Sequence, residues 1–169
     1  DISNGEPERE ASSKTTRPPP TKLIPSGVVC LRGNLVQETR GNVAIHRISG
    51  RWSSMGLAKI LADPENKLGL CSDFEYEHKK ESSGGESSTA KAFPLSGSYS
   101  GSFMINKAGV KTTEVEQDVI FNFVENNEGY HNVEGSGSNS FGKYTTSGTL
   151  TKEGVITICF LFFVSQIGN

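Results

Sequence analysis

The sequence predicts an all-β domain, an antiparallel up-and-down barrel of about eight strands that follows a disordered N-terminal arm. Apolar and polar residues alternate with a period of two through much of the second half, which is typical of strands with one buried face. Clusters of Gly, Asn and Ser interrupt this alternation at hairpin spacing. The 169 residues include 19 glycines, and only one short stretch has a helical pattern. These features favour a turn-rich β protein.

The two ends of the chain are predicted to lie outside the barrel. Residues 1–25 mix charges of both signs with Ser and Thr, and residues 18–20 are three prolines in a row. Such a segment buries too little apolar surface to offset its ordering entropy, so we expect a disordered or extended arm. The barrel is expected over residues 26–165 and a tail over 166–169. Residues 79–91 contain hardly any apolar side chain and predict an exposed loop.

The alternation is clearest in the two strands at the centre of the sequence. In residues 95–105, apolar residues and glycines share one face and serines share the other. In residues 115–123, an unbroken alternation assigns Val115 and Val119 to the buried face and Glu116 to the solvent face. The remaining predicted elements are strands at 28–31, 43–48, 52–54, 71–77, 130–137, 141–150 and 155–164, and one helix at 55–61.

A Ser-Gly pair stands just before a large apolar residue in three segments, residues 48–52, 95–99 and 146–150. We interpret each as the start of a barrel strand, where a glycine lets a neighbouring ring lie across the backbone. The alternative is chance in a glycine-rich chain. Small inward residues are predicted at Gly97, Gly101 and Gly148.

The triplet Gly50-Arg51-Trp52 resembles the G-x-W strand entry of calycins, the superfamily of lipocalins, fatty-acid-binding proteins and avidins. The three Ser-Gly segments are similar to the Thr-Gly-x-aromatic rhythm of avidin strands. The resemblance covers residues 43–164 and implies a closed barrel with Trp52 at one end. It implies no ligand by itself. Trp52 is the only tryptophan here, whereas avidins line a biotin pocket with several.

Composition excludes some classes of partner. A formal net charge of −2 provides no positive field for nucleic acid, so no nucleic-acid partner is expected. The longest apolar run, residues 155–164, is about half of the roughly 20 residues that a membrane-spanning helix needs. Cys30, Cys71 and Cys159 lack metal-ligand spacing and are expected to be buried or half-buried thiols. Their odd number and the lack of a glycosylation acceptor favour an intracellular, reducing compartment.

No catalytic constellation is visible, so the chain is predicted to be neither an enzyme nor a binder of metals or cofactors. His46, His78 and His131 fall on different predicted strands and are interpreted as surface or rim residues. No nucleophile has a recognisable setting.

Three acidic residues, Asp73, Glu75 and Glu77, alternate with Phe74 and Tyr76. We interpret the carboxylates as a solvated outer face with the two rings pointing inward. Paired carboxylates for acid–base chemistry are the alternative.

Six large rings are assigned to the barrel interior and are the candidate ligand-binding residues. A barrel of this size is either filled by such rings or hollow enough for one small molecule, and the filled core is slightly favoured. The candidate rings are Trp52, Tyr99, Phe103, Phe121, Phe123 and Tyr144.

The predicted function is that of a non-catalytic interaction or scaffold module, which binds a protein partner through a sheet edge or the strand at 155–164. The alternative is a carrier of a small hydrophobic molecule in the barrel. A third hypothesis, a barrel-type isomerase or cyclase, requires His131 or Glu134 to face an enclosed polar cavity.

Overall fold

The computed structural model describes residues 22–40, 43–78 and 93–166, and these residues form a closed antiparallel barrel with its strands in sequence order. The predicted all-β, eight-stranded barrel is confirmed. The predicted loop at 79–91 and most of the predicted arm and tail lie outside the described residues. Lys22 already belongs to the first strand, so residues 22–25 are part of the barrel.

Eight strands and one short helix make up the described chain. They are β1 (Lys22–Arg40), β2 (Val43–Ser53), α1 (Leu57–Ala62), β3 (Ser72–His78), β4 (Gly97–Lys107), β5 (Val110–Glu125), β6 (His131–Asn139), β7 (Gly142–Leu150) and β8 (Val155–Gln166). Each strand pairs with its neighbours in the chain, and β8 also pairs with β1 to close the barrel.

The first two strands are longer than predicted. β1 runs for 19 residues where the sequence predicted only 28–31, and β2 joins the segments predicted separately at 43–48 and 52–54. Polar and charged residues such as Arg32 and Arg51 conceal these strands, because they point away from the core without interrupting the hydrogen-bonded ladder.

Rings fill the part of the barrel core that lies opposite the ends of β2 and β4. Tyr99 and Phe121 have no solvent exposure and meet edge to face with ring centroids 5.4 Å apart. The glycine that starts β4, Gly97, has φ of 142°, and a Cβ there would lie 2.8 Å from the His78 ring. The prediction of a ring across a strand-entry glycine is therefore confirmed at Gly97.

The other two Ser-Gly glycines lie elsewhere in their strands. Gly50 and Gly148 stand near the ends of β2 and β7, so the prediction that they begin strands is wrong. A Cβ at either position would overlap the backbone of the adjacent strand. Close strand packing explains these two glycines.

A second, smaller apolar cluster lies outside the barrel, beneath α1. Ile60 of α1 packs there with Cys30 and Cys71, and Cys159 contacts the same cluster. Cys30 and Cys159 face each other in register on β1 and β8 and form a disulfide. The prediction of three thiols is wrong for this pair, and the cysteines no longer support a reducing compartment. Cys71 is a buried thiol as predicted.

Candidate functional site

One half of the barrel interior is hollow. A cavity of about 650 Å³ opens at the end of the barrel where β2, β4, β6 and β8 end, which we call the open end. The prediction of a filled core is therefore wrong for this half. Most of the wall is apolar and aromatic; its larger side chains are Val28, Val29, Leu31, Trp52, Leu70, Phe74, Tyr76, Phe103, Ile105, Phe141, Phe160 and Phe162.

Glu116 on β5 is the one charged group among the described residues that line this cavity, and it is only 2% exposed. A β-bulge turns it inward. Tyr99 pairs with Val119 but Gly101 pairs with Glu116, so β5 has one extra residue between these pairs. Asp118 takes up the distortion with φ of 58°, in the left-handed region that Asp tolerates.

Three neutral groups donate hydrogen bonds to this carboxylate. The Tyr144 hydroxyl donates to Oε1 over 3.0 Å, and the Asn139 amide donates to the same oxygen over 2.7 Å. The Tyr76 hydroxyl donates to Oε2. The donors come from β7, β6 and β3, so the closed barrel itself assembles this cluster around Glu116. Such bonds offset the large cost of burying a charge.

Both phenols remain protonated donors over the ordinary pH range. Burial raises the pKa of Tyr76 far above its usual value, and the neighbouring Glu116 charge and hydrogen bond raise it further. The pKa of Tyr144 is raised by the same causes in the same order. The absent side chain of Gly137 leaves space for the Tyr144 hydroxyl, which a Cβ at that position would overlap.

All six rings predicted for the interior pack in the barrel core, but they divide between its two halves. Trp52 and Phe103 line the cavity and meet at right angles, with ring centroids 5.8 Å apart. The Trp52 Nε1 also donates to the Met104 carbonyl over 3.0 Å. Tyr99 and Phe121 belong to the filled half, whereas Phe123 is half-buried against the core. Tyr144, the sixth ring, acts through its hydroxyl on Glu116.

Sequence reasoning missed the polar centre of the site. It assigned Glu116 to the solvent face and Val115 to the interior, whereas Val115 is 71% exposed. The unbroken alternation would also have placed Gln117 inside the barrel, and this polar residue was the available signal for a bulge. Nothing near Asn139 in the sequence indicates its role, because its partner is on another strand.

The other chemical candidates lie away from the cavity. Phe74 and Tyr76 point inward and Asp73 and Glu75 are exposed, so the predicted solvated acidic face is confirmed for these two carboxylates. Glu77 is half-buried and forms an ion pair with Arg40. His46 is 2% exposed, and the prediction of a surface or rim position is wrong for it. It stacks on Phe93 at the filled end, with ring centroids 6.1 Å apart.

The two groups named for an isomerase or cyclase do not enter the cavity. His131 is half-buried, Glu134 is exposed, and neither lines it. Among the described residues, no cluster of three or more His, Cys, Asp and Glu side chains is arranged to hold a metal ion. No helix within the described ranges has the length and apolarity to cross a membrane.

Comparison of the chain with protein-family models, with curated proteins and with solved structures finds no match in any of the three. The resemblance to calycins therefore stays a prediction. Fold and site together define an eight-stranded antiparallel barrel that is filled with rings at one end and holds a hydrogen-bonded carboxylate in an aromatic cavity at the other.

Proposed function

We propose that this protein binds one small, largely apolar molecule inside the barrel. The observation behind the proposal is the cavity of about 650 Å³, which is walled by rings and contains the buried Glu116. Pockets that enclose small ligands typically measure about 300–1,000 Å³ and combine apolar walls with a few fixed polar groups. Burial of the ligand's apolar surface supplies the affinity, and the carboxylate cluster orients it.

The alternative of a scaffold that binds partners by strand addition has less support at β8, the strand named for it. That route requires a strand with an unpaired edge. β8 pairs with β1 over residues 22–34 and with β7 over residues 143–150, so neither of its edges is free along these stretches. The apolar character of β8 follows from its position, since its alternate residues Ile156, Ile158 and Phe160 enter the core.

Trp52 is a built-in reporter for this binding, because it is the only tryptophan and lines the cavity. We expect its fluorescence to change on titration with a member of a panel of fatty acids, retinoids, pigments and small amines. Native mass spectrometry of protein isolated from its own source should show a retained molecule. A chain that retains nothing and responds to no panel member refutes the proposal.

A matched pair of variants tests whether the ligand binds in the cavity. Ser72 lines the cavity at the start of β3, whereas Ser136 is exposed on β6. Ser72→Phe fills part of the cavity and is expected to weaken binding at least about tenfold. Ser136→Phe adds the same ring outside and should leave binding unchanged. Equal effects of both variants would place the ligand elsewhere.

A second candidate, a proton-transfer enzyme of the isomerase or cyclase kind, is favoured by one observation. The cavity holds a carboxylate, Glu116, which is a group that serves as a general base, and the Tyr76 phenol beside it is a neutral hydrogen-bond donor. Incubation of a bound ligand in heavy water tests it. An enzyme exchanges a carbon-bound hydrogen of the ligand for deuterium, and Glu116→Gln abolishes the exchange without abolishing binding.

A further inference from the structure

None of the described residues that line the cavity balances the charge of Glu116. Glu116 receives hydrogen bonds from two phenols and an amide, all of them neutral. Among the described residues that line the cavity there is no Lys, Arg or His. The site therefore presents one negative charge at low dielectric, where an opposite charge is attracted far more strongly than in water.

The Glu116 carboxylate can accept one more hydrogen bond. Each carboxylate oxygen accepts about two hydrogen bonds. Among the described residues, Oε1 already accepts from Tyr144 and Asn139, whereas Oε2 accepts from Tyr76 alone. One acceptor position of Oε2 is available to a ligand, and it requires an N–H or O–H group. A ligand carboxylate lacks this donor and adds a like charge beside Glu116.

The aromatic wall favours a cation for a separate reason. The faces of Trp, Tyr and Phe rings carry partial negative charge and attract ammonium groups that approach within about 6 Å. Trp52, Phe74, Phe103 and Phe160 all line the cavity that contains Glu116. The rings and the carboxylate together enclose a space that suits a ligand with a positively charged group and an apolar body.

We infer that the ligand of this cavity is an amine, with an apolar body among the rings and a protonated nitrogen that donates to Oε2 of Glu116. The inference depends on the proposed function, since it specifies the chemical class of the molecule that the barrel binds. A neutral alcohol fills the same acceptor position but leaves the charge unbalanced. A ligand carboxylate is disfavoured by repulsion from the charge of Glu116.

Three probes of similar size separate these classes: 2-phenylethylamine, 2-phenylethanol and 3-phenylpropanoate. Isothermal titration calorimetry of the full chain at neutral pH should rank them in that order. A hydrogen bond that involves a charged group is stronger than one between neutral groups. The difference in strength corresponds to a preference of roughly tenfold for the amine over the alcohol. This ranking in the unmodified protein is a test that needs no variant.

Two charge-neutralising variants assign the preference to the site. Glu116→Gln keeps an oxygen for the Tyr144 and Asn139 donors and removes the charge; we expect it to bind the alcohol and lose the preference for the amine. Glu128→Gln removes the same charge from the exposed turn before β6 and should keep the preference. Thermal melts monitor the fold of both.

The outcomes separate this inference from the proposed function. A preference for the amine that disappears in Glu116→Gln and persists in Glu128→Gln supports the inference. Equal or tighter binding of the alcohol, a preference that survives Glu116→Gln, or binding of neutral panel members alone overturns it and leaves a binding barrel. A chain that binds none of the probes and none of the panel overturns both.

Discussion

The hydrogen bond from Tyr144 to Glu116 allows the carboxylate cluster to be tested by stability alone. Tyr144→Phe removes one donor from a buried carboxylate, which keeps Tyr76 and Asn139 as partners. A hydrogen bond to a charged group contributes about 1.5–3 kcal/mol, so we expect a loss of about 2 kcal/mol. For a chain of this size, that lowers the melting temperature by roughly 4–8 °C.

Tyr99→Phe is the matched control. The Tyr99 phenol is buried to a similar degree, and its hydroxyl donates to the neutral Leu95 carbonyl over 2.6 Å. Its loss is expected to cost only about 0.5–1.5 kcal/mol. Urea unfolding monitored by Trp52 fluorescence measures both free energies, and the same pair in a Glu116→Gln background completes the cycle. The reasoning is refuted if Tyr144→Phe costs no more than Tyr99→Phe, or if its cost is unchanged when the charge at residue 116 is removed.

Three further predictions concern packing, covalent linkage and pH. Gly137→Ala places a methyl group against the Tyr144 hydroxyl and should lower the unfolding free energy by about 1–3 kcal/mol in the same urea assay. Reduction of the Cys30–Cys159 disulfide, which links residues 129 apart in sequence, should lower it by about 2–5 kcal/mol. The pKa of Tyr76 is raised in the folded state, as is that of Tyr144, so their contribution is complete below the unfolded pKa of about 10 and is lost as the pH rises towards the folded values. Phenolate absorbance at 295 nm should therefore show these two phenols ionising only as the barrel unfolds, and their ionisation with the circular dichroism intact would contradict this.

Controls separate the first two of these effects from general damage. Gly27→Ala adds a methyl group where no atom lies within 4 Å, and its expected effect is below about 0.5 kcal/mol. A reductant should lower the urea midpoint of Cys71→Ala as much as that of the unmodified chain, because Cys71 is not part of the disulfide. The double variant Cys30→Ala, Cys159→Ala should be insensitive to reductant, and a residual response would assign the effect elsewhere.

The fold was predictable from the sequence because the features that indicate it lie close together along the chain. Alternation and turn residues identified β4, β6, β7 and β8 to within a few residues. The sequence did not reveal most of β1, because its outward side chains include Arg32 and Glu38 and its glycines weaken the apolar signal. In a closed barrel, such a strand is hydrogen-bonded to a neighbour on each side. It therefore forms even where its own sequence has little β-propensity.

The site was not predictable in the same way, because its residues converge only when the barrel closes. Tyr76, Glu116, Asn139 and Tyr144 come from four strands and are hydrogen-bonded through contacts that span 23 to 40 positions in sequence. The cavity likewise reflects how much of the interior the rings fill, which no single segment encodes. Sequence reasoning could identify inward rings, but it could not divide them between a packed end and a hollow one.

The bulge in β5 is the physical reason why the carboxylate was missed, and it makes a sharp prediction about two valines. Without it, Val115 and Val119 would share the buried face, and truncation of either to Ala would cost a similar amount. With one extra residue inserted between the paired positions, Val119 is fully buried and Val115 is 71% exposed. Removal of two buried methyl groups costs about 2 kcal/mol, whereas an exposed truncation stays within about 0.5 kcal/mol. Val119→Ala should therefore lower the urea midpoint clearly and Val115→Ala hardly at all. Equal losses would mean that the alternation runs unbroken through β5, and an unbroken β5 would turn Glu116 out of the cavity.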